Sequence, residues 1–432
     1  MWKYDVKQAI QLLKQNPLFS MLYMIGTALA ICFTLVIVVV HYVKLAPIYP
    51  EYHRGKTLYL PNMRLITPDE NSYQSNVSYL ALKEWFYPLK NAAAVSANAV
   101  EGDKWVQPTD NTGDFKLNFR MVDPAYFKIY EFKFLEGAPF LQADFESGIR
   151  QVVVTDAFAR KLFDTEREVV GKSVKIDYVD YRVCGVVKSA SPLTDSYAEV
   201  YLPYTTDDGY ETTWTYDYLG SFRLVFMVES DRQAKALDEE LQTLFKHVNQ
   251  VHKSEWRVDY RGLSDHFDKV VQGLSVTGEY NPSYGKIFRR FFLIFLALLI
   301  VPAVNLSGMI SSRMEERLPE MGVRKSFGAD RKALFRQVIG ENLVLTLCGG
   351  MLGMVLSWIV LYAGRNWIFG LFDKWNSFPE GVDLTVTGEM LFSPTVFICV
   401  LVVCFMINML SAAIPAWHAL RKPIVNALNE KR

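Results

Sequence analysis

Four stretches of the chain hold no Asp, Glu, Lys or Arg over twenty or more positions: residues 18–40, 291–310, 343–363 and 391–417. About 20 apolar residues cross a bilayer core of roughly 30 Å. One such charge at mid-membrane costs about 2.5–3.5 kcal/mol on insertion scales. Buried helices of soluble proteins seldom stay uncharged beyond about 14 residues, so the four windows read as membrane spans. Between the first and second the pattern breaks into short alternations. Phe222, Leu224, Phe226 and Val228 alternate as a strand. Ser230 and Gln233 match a capping box, and Ala234, Leu237, Leu241, Leu244 and Val248 follow at helical spacing. Trp256, Val258 and Tyr260 alternate again. Earlier, residues 57–60 read as a strand and 78–90 as a helix. Residues 151–155, 173–176 and 181–187 read as strands, with a short helix at 156–163.

The predicted fold is an integral membrane protein of four transmembrane α-helices, with an extracytoplasmic α+β domain inserted between spans one and two. The expected boundaries are an amphipathic surface helix at 1–16, span one at 17–43 and the outside domain at 44–285, with an inserted subdomain at about 116–205. Span two follows at 286–312, a cytoplasmic segment at 313–337, span three at 338–364, an outer connection at 365–390, span four at 391–417 and a tail at 418–432. Trp2, Val6, Ala9, Ile10 and Leu13 give the first helix its apolar face, among Lys3, Lys7 and Lys14. The first apolar run is far longer than the about 7–15 residues of a signal h-region, and Pro47 sits where cleavage would fall, so it reads as an uncleaved anchor.

Net charge is zero, which decides nothing; the placement of the charges decides orientation. The segment between spans two and three carries Arg313, Arg317, Arg324, Lys325, Arg331, Lys332 and Arg336, and the tail adds Arg421, Lys422, Lys431 and Arg432. The connection between spans three and four has only Arg365 and Lys374 against four acids. Lysine and arginine stay on the cytoplasmic side, so both termini and the basic segment are expected there. Lys286, Arg289 and Arg290 run against this, but long domains translocate largely regardless of charge. Cys32, Cys348, Cys399 and Cys404 lie in spans and leave Cys184 alone in the outside domain, where no intrachain disulfide is available.

Catalytic patterns find no support. Gly171-Lys172-Ser173 resembles a phosphate loop, but the required glycine five positions earlier is Glu166, and Ser173 opens a strand. His247 and His252 are five apart, off the face a metal pair prefers, and read as solvated surface histidines. No nucleophile elbow occurs, and Cys184 has no neighbouring base in sequence. No catalytic residue, metal site or bound cofactor is expected on this chain, nor a nucleic-acid partner.

The basic segment has a structure of its own. Pro319 ends one helix and starts another at Glu320, and Gly328 is a natural stop. The resulting two-turn helix, 320–327, sets Val323 and Phe327 at i, i+4 beside Arg324 and Lys325. Asp330 is placed to cap the third span's helix. A helix of this kind suits a groove on a cytoplasmic partner; a basic loop on anionic lipid fits the residues equally well. In the spans, Pro302, Asn305 and Ser307 are polar or breaking groups that should face protein. Gly349, Gly350 and Gly353 fit either close helix approach or mere tolerance in lipid. Glu341, at the cytoplasmic boundary, fits either a snorkelling side chain or a part in coupling.

The string EMGVRKSFGADRKALFRQVIGENLVLTLCGGMLGMVLS from Glu320 resembles the core signature of FtsX-like permeases of MacB-type ABC transporters. Glu320, Gly322, Arg324, Lys325, Gly328, Ala329 and Glu341 occupy the motif places. The tail with Pro415, Ala416, Ala419 and a closing Pro-x-x-x-Ala-Leu is similar to that family's C-terminus. VDPAYFKIYEFKFLEGAPF, VVVTDAFARKLF, VVGKSVKI and YRVCGVV resemble the MacB-like periplasmic core in order. Pro319 departs from the pattern, where a basic or polar residue is usual.

The resemblance implies a coupling helix made of Glu320, Met321, Gly322, Val323, Arg324, Lys325, Phe327 and Gly328, resting on a separate subunit that binds ATP and Mg. It implies a second permease copy, contact with membrane lipid, and a periplasmic adaptor or outer-membrane partner, all at a bacterial inner membrane. The activity expected is mechanotransmission for export of a peptide, drug or envelope molecule. The alternative is a non-transporting regulator of a periplasmic enzyme or sensor.

Overall fold

The computed structural model describes residues 17–99, 104–108, 113–214, 216–273, 284–372, 384, 388–391 and 393–421. The surface helix expected at 1–16, most of the connection at 373–387 and the last residues of the tail fall outside these. Two compact units are formed: a helical one from Met1–Val43, Ser283–Asn376 and Val386–Arg432, and an α/β one from Lys44–Pro282 with Ser377–Thr385.

The main helices are α1 (Pro17–Leu45), α2 (Asp156–Phe163), α3 (Asp231–Val251), α4 (His266–Gly273) and α5 (Tyr284–Glu316). They continue as α6 (Leu318–Ser326), α7 (Arg331–Ala363), α8 (Arg365–Phe372) and α9 (Pro394–Arg421). Among the described residues, three helices are long and apolar enough to cross a membrane: Pro17–Leu45, Arg331–Ala363 and Pro394–His418, with mean hydropathy of 2.5, 2.2 and 2.6. The window at 291–310 lies within α5, which runs for 33 residues.

In the helical unit, α7 meets α1 along its glycines. A methyl group at Gly353 would lie 2.6 Å from the Ala28 carbonyl oxygen and 3.0 Å from Ile31 Cβ; one at Gly349 would lie 3.0 Å from the Met24 carbonyl. Gly350 faces Leu401 of α9 and Ile31. Small residues let backbones close to this range, where dispersion contacts hold helices together without a hydrophobic drive. Beside the seam the Tyr23 hydroxyl and Thr346 Oγ1 are 3.0 Å apart. The opposite face of α1, with Leu18, Leu22, Ile25, Leu29 and Phe33, is exposed.

The α/β unit is built on one 12-stranded mixed sheet. Its strands are β1 (Thr57–Tyr59), β4 (Ala94–Ala99), β5 (Lys104–Gln107), β6 (Phe115–Leu117), β7 (Phe119–Val122) and β8 (Phe134–Gly137). The others are β9 (Gln151–Thr155), β10 (Ser173–Ile176), β11 (Val179–Val187), β12 (Val200–Pro203), β14 (Arg223–Met227) and β16 (Ser264–Asp265). The order is β16-β1-β14-β4-β7-β12-β9-β11-β10-β5-β6, with β8 on β11. Segment 116–205 therefore extends the same sheet: its strand β7 pairs antiparallel with β4 (Ala99 opposite Met121), and the parallel pair β7–β12 (Phe119 opposite Val200) continues the sheet within the segment. Four further strands, β2 (Met63–Ile66), β3 (Ser72–Val77), β13 (Leu219–Gly220) and β15 (Arg257–Val258), form a separate small sheet.

Helix α3 follows the sequence pattern closely. Ser230 Oγ accepts from the Gln233 amide, and Gln233 Oε1 reaches back to the Glu229 amide at 2.7 Å, so two orphan donors are satisfied. Leu237, Leu241, Phe245 and Val248 are buried, while Leu244 packs at the edge. The helix expected at 78–90 is capped by Ser78 but is one α turn followed by a π turn, Leu82–Phe86. Tyr87 is still helical, but Pro88 has no N–H to donate back into the helix, which stops the run. His252, read as a surface histidine, keeps part of its ring exposed and stacks on Trp256 with ring centroids 4.2 Å apart.

A polar cluster around Glu51 and Arg54 is buried in this unit. Arg54 and Glu51 are 4% and 2% exposed and pair at 2.8 Å. Arg54 also donates to the Ala46 carbonyl, and Glu51 accepts from the Ser196 amide at 2.7 Å. Nearby, His266 bonds the Lys44 carbonyl at 2.8 Å through Nε2 and lies 3.3 Å from the Tyr59 hydroxyl through Nδ1. Lys269 holds Asp195 at 2.5 Å. The segment after α1 and the helix α4 are thus tied to one loop, residues 191–197.

Burial, then the positive charge of Arg54, lowers the His266 pKa, so the ring is held neutral. The unfolded chain therefore takes up the proton first. Stability from this residue is fully present above about pH 6.5 and is lost as pH falls toward the folded-state pKa. Unfolding midpoints measured between about pH 7.5 and 5.5 should decline on acidification. They should decline less in His266→Gln; equal slopes in the two proteins would refute the assignment.

Candidate functional site

The segment between α5 and α7 forms its helix one to two residues earlier than the sequence suggests. α6 runs Leu318–Ser326, with Pro319 in its first turn, where a missing N–H leaves no bond unmade. Its end is a Schellman motif: Gly328 has φ of 89°, and the Ala329 amide donates back to the Arg324 carbonyl at 3.0 Å. A side chain at that φ would be strained, so the glycine sets the stop. Asp330 then caps α7, its carboxylate accepting from the Lys332 amide.

The helix has two faces of different character. Leu318 and Met321, 2% and 6% exposed, pack with Ile310, Met314, Leu334 and Val338. Gly322 is buried beside them. On the other side Val323 is 45% and Phe327 86% exposed. Met321 and Gly322 thus belong to the seat of the helix, whereas Val323 and Phe327 form its free apolar edge. The Lys325 side chain, and those of Pro302 and Asn305 within α5, lie outside the described set.

A closed ring of polar contacts surrounds the seated face. Arg317 Nη1 donates to Glu341 Oε2 at 2.7 Å, and Gln337 Nε2 donates to Glu341 Oε1 at 3.1 Å. Gln337 Oε1 accepts from Arg324 Nη1 at 3.1 Å, Arg324 Nη2 donates to Glu320 at 2.6 Å, and Glu320 returns to Arg317 at 3.9 Å. The Glu341 and Arg317 side chains are only 6% and 14% exposed. Arg317 and Gln337 carry no motif; only their charge and amide at the ends of two adjoining apolar helices hint at the pairing.

The other sequence candidates sit elsewhere. Gly171 has φ of 91° and Ser173 opens β10, so no helix N-terminus faces this Gly-Lys pair. Burial pushes the Cys184 thiol up to about 12, which leaves it unreactive as a nucleophile at neutral pH. Among the described residues, no group of three His, Cys, Asp or Glu side chains is placed to hold a metal ion.

Comparison with known proteins gives two adjacent matches. Residues 20–244 match the MacB-like periplasmic core domain, and residues 291–424 match the FtsX-like permease C-terminal region. The macrolide export ATP-binding/permease protein MacB of Escherichia coli K12 is 24% identical over 366 residues, covering 83% of this chain and 50% of that protein. The protein of that name from Shigella flexneri is 25% identical over 300 residues, 68% of this chain and 42% of its own length. The chain thus spans half or less of the curated relatives it matches. Among solved structures, the periplasmic region of MacB from Actinobacillus actinomycetemcomitans is similar at 15% identity and a TM-score of 0.34, over 50% of this chain and 94% of that one. The assignment rests on the two family matches and not on that partial structural likeness: the chain belongs to the MacB-like, FtsX-like family of membrane permeases, with a periplasmic α/β domain ahead of its permease region.

Proposed function

We propose that this chain is the permease half of an ATP-driven, MacB-type mechanotransmission machine at a bacterial inner membrane. α1, α5, α7 and α9 are its four spans, with both termini and α6 on the cytoplasmic side, as the lysine and arginine distribution supports. ATP and Mg are bound and hydrolysed by a separate cytoplasmic subunit, and α6 is the coupling helix that rests on it. Two copies of the permease act together. The periplasmic unit then moves to export a peptide, drug or envelope molecule, working with an adaptor or outer-membrane partner.

The observation that carries this reading is the free edge of α6. A phenylalanine side chain left in water forgoes about 1.5–3 kcal/mol of burial, and Phe327 stands almost fully exposed on a helix whose other face is packed. A hydrophobic pair between basic residues fits a groove with an acidic rim. The double variant Val323→Asp with Phe327→Asp should insert normally but retain the ATP-binding subunit at least about tenfold more weakly, as expected for losing a buried anchor. Unchanged retention and unchanged ATPase stimulation in that variant would refute the coupling role.

A further inference from the structure

α6 has nine residues, too few to hold a helix by itself, so its direction is set by whatever grips it. Two grips are present. One is the apolar seat of Leu318 and Met321, which is non-directional and lets a short helix roll. The other is the polar ring, which is directional. Its two anchor points on α7, Gln337 and Glu341, are four residues apart and so stack on one helix face. They take Arg324 from within α6 and Arg317 from the junction just before it. A helix held near both ends through bonds of fixed direction cannot roll without breaking one of them.

Glu341 is the centre of this arrangement. Its carboxylate accepts from both Arg317 and Gln337, and a carboxylate so enclosed is tolerable only while paired. Removing the partner of a buried charge is far more damaging than removing both. We propose that Glu341 is a positioning residue that clamps α6 to α7. A push delivered to α6 is then passed to α7 as a rigid displacement, instead of being spent in rotation of α6 on its seat. This inference rests on the coupling role proposed above for the consequence of the clamp, but not for the clamp itself. From α7 the displacement continues into α1, because the glycine seam leaves no slack between them.

The test uses the full chain in lipid nanodiscs, with and without its ATP-binding subunit. Spin labels go on cysteines introduced at Ser326 and at the exposed Leu352 of α7, in a background with the five native cysteines replaced. Glu341→Gln, Arg317→Gln and the double variant are compared. In the parent protein the label-to-label distance should be narrow and the same before and after nucleotide is added. Each single variant should broaden it and lower ATPase stimulation about tenfold, the range of a lost charge-assisted hydrogen bond. The subunit should still bind. The double variant should be no worse than either single one, because it leaves no lone buried charge; it also serves where a single variant fails to fold. A distance distribution unchanged by Glu341→Gln, or losses that simply add in the double variant, would overturn the clamp. A parent chain that keeps the narrow distance yet never binds the subunit would overturn the coupling reading and leave the clamp standing.

Discussion

Arg54→Ala is expected to destabilise the periplasmic unit by about 3–5 kcal/mol, the range found when one partner of a buried ion pair is removed. The substitution strips Glu51 of its counter-ion while leaving it 2% exposed, where the Ser196 amide donates to its other oxygen. It also frees the Ala46 carbonyl, which Arg54 now caps. In a domain of this size, 1 kcal/mol corresponds to a shift in unfolding temperature of about 2–4 °C, so the expected fall is on the order of 10 °C. Tryptophan fluorescence reports it directly, since Trp85 is stacked on Tyr218 in the same core. Glu51→Leu with Arg54→Met should recover much of the loss, because apolar replacement of both ions removes the desolvation cost. A loss below about 1 kcal/mol for Arg54→Ala would mean the pair is not buried as described.

The second large effect is expected from Gly353→Leu. The first atom of the new side chain meets the Ala28 carbonyl oxygen at 2.6 Å and Ile31 Cβ at 3.0 Å. Neither can yield without moving the backbone of α1. Overpacking of this kind costs about 1–3 kcal/mol, and more where backbone must shift. The bundle should separate along the α1–α7 seam, break the Tyr23–Thr346 contact, and lower the yield of detergent-stable protein severalfold. Gly340→Leu, where nothing lies within 4 Å of an added methyl, is the control and should behave as the parent. Equal yields and melting temperatures for the two variants would show that the seam does not bear load.

Much of this architecture was legible from local pattern. The Ser230 cap of α3, the stop at Gly328 and the Asp330 cap of α7 each depend on residues within one or two turns of each other. What was not legible depends on distant partners. The β7–β12 pairing joins residues some eighty positions apart, and no alternation of Val and Phe specifies which strand is the neighbour. Glu51 and Arg54 look like ordinary surface charges in sequence; burial by Ser196 and Ala46 makes them a pair. Met321 and Phe327 are both apolar residues of the basic segment between α5 and α7. Only the helix phase, set by where Pro319 allows α6 to start, turns one inward and the other outward. Glu341 shows the same limit: its position beside a span suggests a snorkelling side chain, and its partner Arg317, 24 residues earlier, changes that reading.

The exposed edge of α6 also sets the most direct test of the whole account. The tagged chain, co-expressed with candidate ATP-binding subunits and purified gently into nanodiscs, should be weighed by native mass spectrometry. Particles with two permease chains and two ATP-binding subunits are expected, and they should be lost in the Val323→Asp, Phe327→Asp variant. A chain recovered alone from nanodiscs and several detergents, with no ATP-binding subunit retained, would contradict it.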